Sequence, residues 1–185
     1  MTKPVRLVVL DRDGVINEAP SSYVMATRDW VPIAGSLEAI AALGRAGYRV
    51  CVATNQSCVG RGLVSTAVVE DIHREMCERV AAHGGRIDRV WYCPHRPDEG
   101  CDCRKPASGM LRDIGEYYGV AMNGVPVVGD APTDLRAANA VGARPILVLT
   151  GKGRDTWSAL GESAGLEVYA DLGAVSRMLV AEAGG

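Results

Sequence analysis

Short Val/Ile/Leu-rich runs alternate along the chain with longer stretches whose apolar residues recur at helical spacing. Few folds accept that alternation, because strands and helices in strict succession stack as a parallel sheet with helices on both faces. The pattern predicts strands over 6–10, 49–53, 89–92, 126–128, 145–149 and 167–169. Their near-continuous apolarity predicts burial on both sides. Ser36 is placed to cap a helix through Ala46 with Gly47 past its end, and Ser65 to cap a longer one carrying Val69, Ile72, Met76 and Val80 on one face. Further helices are expected over 109–118, 133–141, 155–160 and 173–183. The expected class is α/β, a three-layer sandwich around a mainly parallel sheet.

At 185 residues the chain matches a single domain over 1–185, with no internal repeat or linker. With 48% hydrophobic and 23% charged residues it can bury a sizeable core and is not disordered. A formal net charge of −2 lacks the basic excess that marks a nucleic-acid partner. The first apolar run ends at Leu10, too short for a secretion signal or a bilayer span, so a cytoplasmic chain with no membrane partner is expected. Trp30, Trp91 and Trp157 are too dispersed for a stacking platform, while His73 and His83, without clustered partners, read as packing or surface residues.

The polar motifs fall just after expected strand ends, the edge where open α/β sheets place ligands. Asp11-Arg12-Asp13-Gly14 follows the first strand, and a spacing of two turns both carboxylates to one side if the extended conformation persists. A nucleophile and a general acid/base sharing a divalent cation would look like this; so would an acidic turn closed by Gly14. Thr54-Asn55-Gln56-Ser57 offers small hydroxyl and amide donors to an anion, though such residues are also ordinary in turns. Arg104-Lys105-Pro106 is a cationic pair that Pro106 keeps out of a continuing helix. Gly129-Asp130, with Asp134 four residues on, completes the set. In this order, acid pair, hydroxyl, lysine and acid supply what metal-assisted phosphoryl transfer requires.

Cys93, His95, Cys101 and Cys103 place four potential ligands within eleven residues. Three thiolates and an imidazole make a closed tetrahedral zinc site, structural because it leaves no open position. A disulfide or unliganded turn cysteines are the alternatives in a chain without a secretion signal. Cys103 precedes Arg104 and Lys105, so fixing this loop, 93–103, would also fix where those cations project. Cys51, Cys58 and Cys77 read as small apolar or turn residues.

Asp11 to Asn17, Thr54, Lys105 and Gly129-Asp130 together resemble the four motifs of the haloacid dehalogenase superfamily of phosphohydrolases, over about residues 5–150. Thr54 to Ser57 followed by Gly60-Arg61-Gly62, together with the Cys/His loop, is similar to the D-glycero-D-manno-heptose 1,7-bisphosphate 7-phosphatases and the related histidinol-phosphate phosphatases. The resemblance implies a Rossmann-like sheet and catalysis by Asp11, Asp13, Thr54 and Lys105. Asp11 would attack phosphorus to form an aspartyl-phosphate, and Asp13 would protonate the leaving oxygen and then activate water. Mg²⁺ would be held by the carboxylates of Asp11 and Asp130 and the carbonyl of Asp13, with Asp134 holding Lys105 or the metal shell. Thr54 and Asn55 would donate to phosphoryl oxygens that Lys105 neutralises. The resemblance also implies a role in ADP-heptose and lipopolysaccharide core precursor synthesis.

Only 17 residues separate Gly14 from Pro32, too few for a large cap domain, so a small, polar substrate at an exposed site is expected. A monomer is expected, and the resemblance implies that the substrate is a sugar phosphate. Tyr23 with Ser21 and Ser22, Asn55, Gln56, Ser57, Arg61, Arg104 and Lys105 are its expected contacts, Arg104 because a guanidinium bridges phosphate oxygens bidentately. Two features depart from the heptose pattern: Ala131 stands after Asp130 where Lys is frequent, and only five residues lie between His95 and Cys101. A histidinol-phosphate phosphatase would share every catalytic residue. A non-enzymatic phospho-acceptor receiver would also carry acids, a Thr and a Lys at one sheet edge, but Asp13 supplies the acid/base that hydrolyses an acyl-phosphate.

Overall fold

The computed structural model describes residues 5–19, 22–161 and 165–184. The strands are β1 (Arg6–Leu10), β2 (Tyr48–Asn55), β3 (Arg89–Cys93), β4 (Pro126–Gly129), β5 (Arg144–Val148) and β6 (Glu167–Tyr169). The helices are α1 (Ser36–Arg45), α2 (Thr66–Ala82), α3 (Gly109–Tyr118), α4 (Pro132–Asn139), α5 (Gly153–Leu160) and α6 (Leu172–Gly184). All strands pair in parallel in the order β3-β2-β1-β4-β5-β6, so the chain direction across the sheet reverses between β1 and β4. Ligands of doubly wound sheets sit at that reversal, beyond the C-terminal strand ends.

Side chains two apart on a strand share a face, and the core divides accordingly. Val8 and Leu10 of β1 join Val50, Val52, Val128 and Ile146 under α1, α2 and α6, through Ile40, Leu43, Ile72, Met76, Val175 and Leu179. Leu7 and Val9 face the other way, with Cys51, Ala53 and Val127, onto Met110, Leu111 and Ile114 of α3 and Ala137 and Ala138 of α4. Burying each such Leu or Ile is worth about 1.5–3 kcal/mol. The interior of the sheet is buried on both sides as expected, but the edge strands β3 and β6 are only partly so, because each lacks a neighbour on one side.

Several boundaries differ from the sequence expectation, and three of them bear on the site. Ser36 is the first helical residue and not the cap; Gly35, at φ 82°, turns the chain, and the Ser36 hydroxyl donates to the Ile16 carbonyl at 2.7 Å. β2 runs on through Thr54 and Asn55, which pair with Tyr92 and Cys93, so β3 holds these residues in a strand instead of a turn. α4 starts at Pro132, whose missing N–H is no loss in a first turn. Ser65 caps α2 as expected, accepting from the Val68 N–H.

His73, on α2, is buried edge-on to Tyr92, with no hydrogen-bond partner for Nε2 among the described residues. Burial, with help from the Arg12 charge, pushes its pKa from 6.5 down to about 3. The unfolded chain therefore binds the proton more tightly, and stability present above pH 6.5 falls as pH drops toward 3. This residue is expected to contribute up to about 1.4 kcal/mol per pH unit across that window. Urea unfolding at pH 7 and pH 5 checks it: His73→Phe should flatten the loss, and an unchanged slope would contradict the assignment.

Candidate active site

The segment after β1 curls at once, so the extended conformation does not persist past Leu10. The Arg12 carbonyl accepts from the N–H groups of Val15, Ile16 and Asn17, and Gly14 N–H donates to the Asn17 carbonyl at 2.7 Å. Asp11 remains tied to the sheet through its N–H on the Val128 carbonyl, which sets β1's loop against β4's at the topological reversal. A cavity of about 560 Å³ opens there, lined by Asp11, Asp13, Tyr23, Thr54, Asn55, Ser57, Arg104, Lys105, Asp130 and Asp134.

Lys105 occupies the floor. Its Nζ stands 2.9 Å from Asp11 Oδ1, 2.5 Å from Asp134 Oδ1 and 2.7 Å from the Ala53 carbonyl. The paired carboxylates keep this buried lysine charged, their attraction outweighing its desolvation. Asn55 holds the same segment from the backbone: its Nδ2 donates to the Lys105 carbonyl and its Oδ1 accepts the Lys105 N–H, each at 3.0 Å. Asp134 also accepts the Ala131 N–H, capping α4, so one carboxylate anchors both a helix start and Lys105.

Asp13 is held differently. Arg12, fully buried, contacts both its oxygens, at 2.9 Å each from Nη2; Asn17 Nδ2 and Gln56 Nε2 donate to it, also at 2.9 Å. Although burial opposes it, the Arg12 charge and these hydrogen bonds hold the Asp13 pKa below the usual carboxylate value. Asp11 and Asp130 go the other way: burial pushes them up to about 7 and about 6, with neighbouring acids adding to both and Lys105 opposing. The two acids at the sequence spacing of two therefore occupy unlike electrostatic settings.

Asp130 is fixed by a loop the sequence motifs did not include. Lys152 N–H donates to its Oδ2, the Thr156 hydroxyl to its carbonyl, and the Thr150 hydroxyl to the Gly14 carbonyl, at 2.8, 2.8 and 2.6 Å. Gly14 and Gly151 let these loops meet: both have positive φ, and a Cβ on either would lie within 2.2 Å of Asp130 Oδ2. Arg12 and Asn17, inside the first motif, gain contacts to Asp13 that its sequence does not reveal, and Lys152 lies outside all four motifs. Thr150 to Gly153 follow β5, so the strand-end rule applied to the first four motifs would have found them.

Gln56 and Arg61 depart from the expected substrate contacts. Gln56 is buried under Asp13 and Thr54 with its amide committed to them, and does not line the cavity. Arg61 is exposed and outside the lining. Tyr23 Oη and Ser57 Oγ meet at 3.2 Å on the cavity wall, and Ser22 lines it, whereas Ser21 lies outside the described residues. Arg104 lines the cavity with Nη1 donating to the His95 carbonyl at 3.2 Å, a direct link between a site cation and the cysteine loop.

The donor sets fit two different metals. Carboxylate oxygens of Asp11, Asp130 and Asp134 come within 4.8 Å of one another. Because Asp134 is committed to Lys105 and Ala131, the two raised acids, Asp11 and Asp130, are left to a hard cation such as Mg²⁺, which would remove their mutual repulsion. The sulfur and Nδ1 atoms of Cys93, His95, Cys101 and Cys103 stand 3.2 to 3.6 Å apart where they contact one another. Donors around a single tetrahedral zinc are about 3.5–3.8 Å apart, so these need move only about half an ångström. No sulfur pair approaches the bonding distance of a disulfide, about 2.05 Å. The short His95–Cys101 spacing is therefore no obstacle to closing the site.

Comparison with known proteins agrees with this geometry. Residues 102–175 match the HAD-hydrolase-like family model. A D-glycero-beta-D-manno-heptose-1,7-bisphosphate 7-phosphatase of Pseudomonas putida is 49% identical over 176 residues, covering 95% of this chain and all of that protein. The enzyme of the same name from Bordetella bronchiseptica is 46% identical, over 97% of this chain and all of the relative. A crystal structure of the D,D-heptose 1,7-bisphosphate phosphatase from B. bronchiseptica, complexed with magnesium and phosphate, superposes with a TM-score of 0.92, covering 96% of this chain and 99% of that one. With near-complete coverage at such identity, and two acids, a hydroxyl and a lysine gathered at one sheet edge, the chain belongs to the heptose bisphosphate phosphatase family of haloacid dehalogenase-type phosphomonoester hydrolases.

Proposed function

We propose that the chain removes the 7-phosphate of D-glycero-β-D-manno-heptose 1,7-bisphosphate through an aspartyl-phosphate. The observation that carries this reading is the pairing of Asp11, held by Lys105 beside Asp130, with an Asp13 braced separately on the same cavity wall. The 7-position and the β-anomer follow the names of the relatives.

An Asp11 carboxylate oxygen attacks phosphorus in line, and the bond to the sugar C7 oxygen breaks with its electron pair on that oxygen. The leaving oxygen takes a proton from Asp13; a phosphate dianion seated beside Asp13 favours its protonated form for this step. Water then attacks the acyl-phosphate, loses its proton to Asp13, and releases inorganic phosphate and free Asp11. Thr54 faces the phosphoryl oxygens, Lys105, its three protons taken by Asp11, Asp134 and the Ala53 carbonyl, offsets their charge from the cavity floor, and Asn55 keeps Lys105 in register. Mg²⁺ bound by Asp11 and Asp130 supplies the positive charge that lets one anion approach another.

Arg104 and the exposed Lys152 are the further cations on the cavity wall and suit a second phosphate. Described residues 14–19 and 22–32 contribute a short 3₁₀ turn, Thr27–Asp29, and no cap over the mouth. We further infer a single domain over 1–185 that works as a cytoplasmic monomer in ADP-heptose synthesis for lipopolysaccharide core. Among the described residues no helix is long and apolar enough to cross a membrane.

Mg²⁺-dependent phosphate release tests the reading, with kcat/KM compared for both anomers of the heptose bisphosphate and for histidinol phosphate. A large preference for the β-anomer is expected. Preference for histidinol phosphate would move the substrate while keeping the chemistry, and no turnover of any of the three would overturn both.

The Cys/His loop is proposed to hold structural Zn²⁺, which when bound fixes the segment leading to Arg104 and Lys105. Protein purified without chelator is expected to carry about one zinc per chain. Active protein with well under one would contradict this.

A further inference from the structure

We infer that Gln56 is a positioning residue: its carboxamide aims the Thr54 hydroxyl proton into the cavity while bracing Asp13. The inference rests on the phosphatase reading for the identity of the anion that receives that proton.

The orientation of the Gln56 amide is fixed by its neighbours' chemistry. Arg12 has only donors, so its Nη2, 3.1 Å away, must face Oε1; the Asp13 carboxylate accepts only, so its Oδ2, 2.9 Å away, must face Nε2. The second Nε2 proton then goes to Thr54 Oγ1 at 3.0 Å. A hydroxyl whose oxygen already accepts a hydrogen bond has its own proton free for another acceptor. Among the described residues Thr54 Oγ1 has no other side-chain or backbone partner, and Thr54 lines the cavity floor. The acceptor is therefore the ligand, and the ligand that Lys105 and Thr54 together suit is a phosphoryl oxygen.

Burial makes the aim rigid. Gln56 and Thr54 are each about 1% exposed, so water does not compete for the amide. Oε1 also lies 3.8 Å from the Cys58 thiol, so both ends of the amide have partners. A glutamate at this position would reverse the polarity: the hydroxyl would donate to the new carboxylate and turn a lone pair toward the incoming anion.

The test measures inorganic phosphate binding to the Mg²⁺-loaded chain by calorimetry, with the cycle of Gln56→Leu and Thr54→Val. Gln56→Leu is expected to weaken phosphate about tenfold and Gln56→Glu about a hundredfold. If Gln56 acts through the Thr54 proton, Gln56→Leu costs less than about twofold more once Thr54→Val is present. A purely structural role predicts losses that multiply, and that outcome, or unchanged affinity in Gln56→Leu, overturns the inference. Gln56→Met, closer in length, replaces Gln56→Leu in the cycle should that variant fail to fold. Turnover of the heptose bisphosphate by the unaltered chain reads the phosphatase assignment separately: its absence with the cycle intact sinks that assignment, and multiplying losses with turnover intact sink this one.

Discussion

Replacing Asp11 by Asn is expected to abolish phosphate release, by about 10⁴-fold or more in kcat, with the fold intact. The amide nearly preserves the shape of the carboxyl and can still accept from Lys105 Nζ, but its oxygen no longer carries the charge that the proposed attack on phosphorus needs. Stability should hold or rise, because burial makes this carboxylate costly and pushes its pKa up to about 7. Removing it also leaves Lys105 paired with Asp134. Phosphate release and the urea midpoint, measured on the same preparation, check both halves. Normal turnover would sink the nucleophile assignment, and an unfolded variant would sink the expectation that the fold does not depend on the Asp11 charge.

Lys105→Met has the second largest expected effect, and on two quantities at once. The ammonium is the cation between Asp11 and Asp134, whose oxygens lie within 4.8 Å of each other and of Asp130. Removing one partner of a buried ionic cluster costs about 3–5 kcal/mol, because the charges left behind stay buried. In Mg²⁺-free buffer the variant should lose about that much at pH 8. Less should be lost at pH 6, where acids already displaced upward take up protons that relieve the repulsion. Saturating Mg²⁺ should restore part of the stability, since Asp11 and Asp130 are brought together only by the fold. Turnover should fall by about 10³-fold, the size typical of losing one preorganised electrostatic group. A variant as stable as the parent at pH 8 would show that Lys105 does not hold the cluster.

These two variants separate roles that adjacent motifs concealed in the sequence. Asp11 and Asp13 look alike as an acid pair, but the buried guanidinium of Arg12 lies against Asp13, and Lys105 with the acids lies around Asp11. Asn55 reads as a donor to the anion, yet its amide is reciprocally bonded to the Lys105 backbone. Gln56 reads the same way and is turned inward.

Strand and helix order were legible because periodicity is local: runs such as 6–10 and 49–53 carry their burial in their own composition. The motif residues were legible for a related reason, since a parallel sheet collects every strand's C-terminal end on one edge whatever the packing above it. The Cys/His spacing within 93–103 is local too, and eleven residues suffice to bring four potential ligands within reach of one metal ion. What the sequence could not decide is anything that depends on which residues meet across long separations. Arg12 meets Gln56 44 positions away, Lys105 meets Asp11 94 positions away, and Thr150 meets Gly14 136 positions away. Those meetings are set by the strand order and by glycines small enough to let loops touch, and they determine the charge around each acid. The sequence by itself therefore determined which groups the chain brings to its sheet edge; only the tertiary structure decided their work, because a side chain's orientation and proton affinity belong to its neighbours in space.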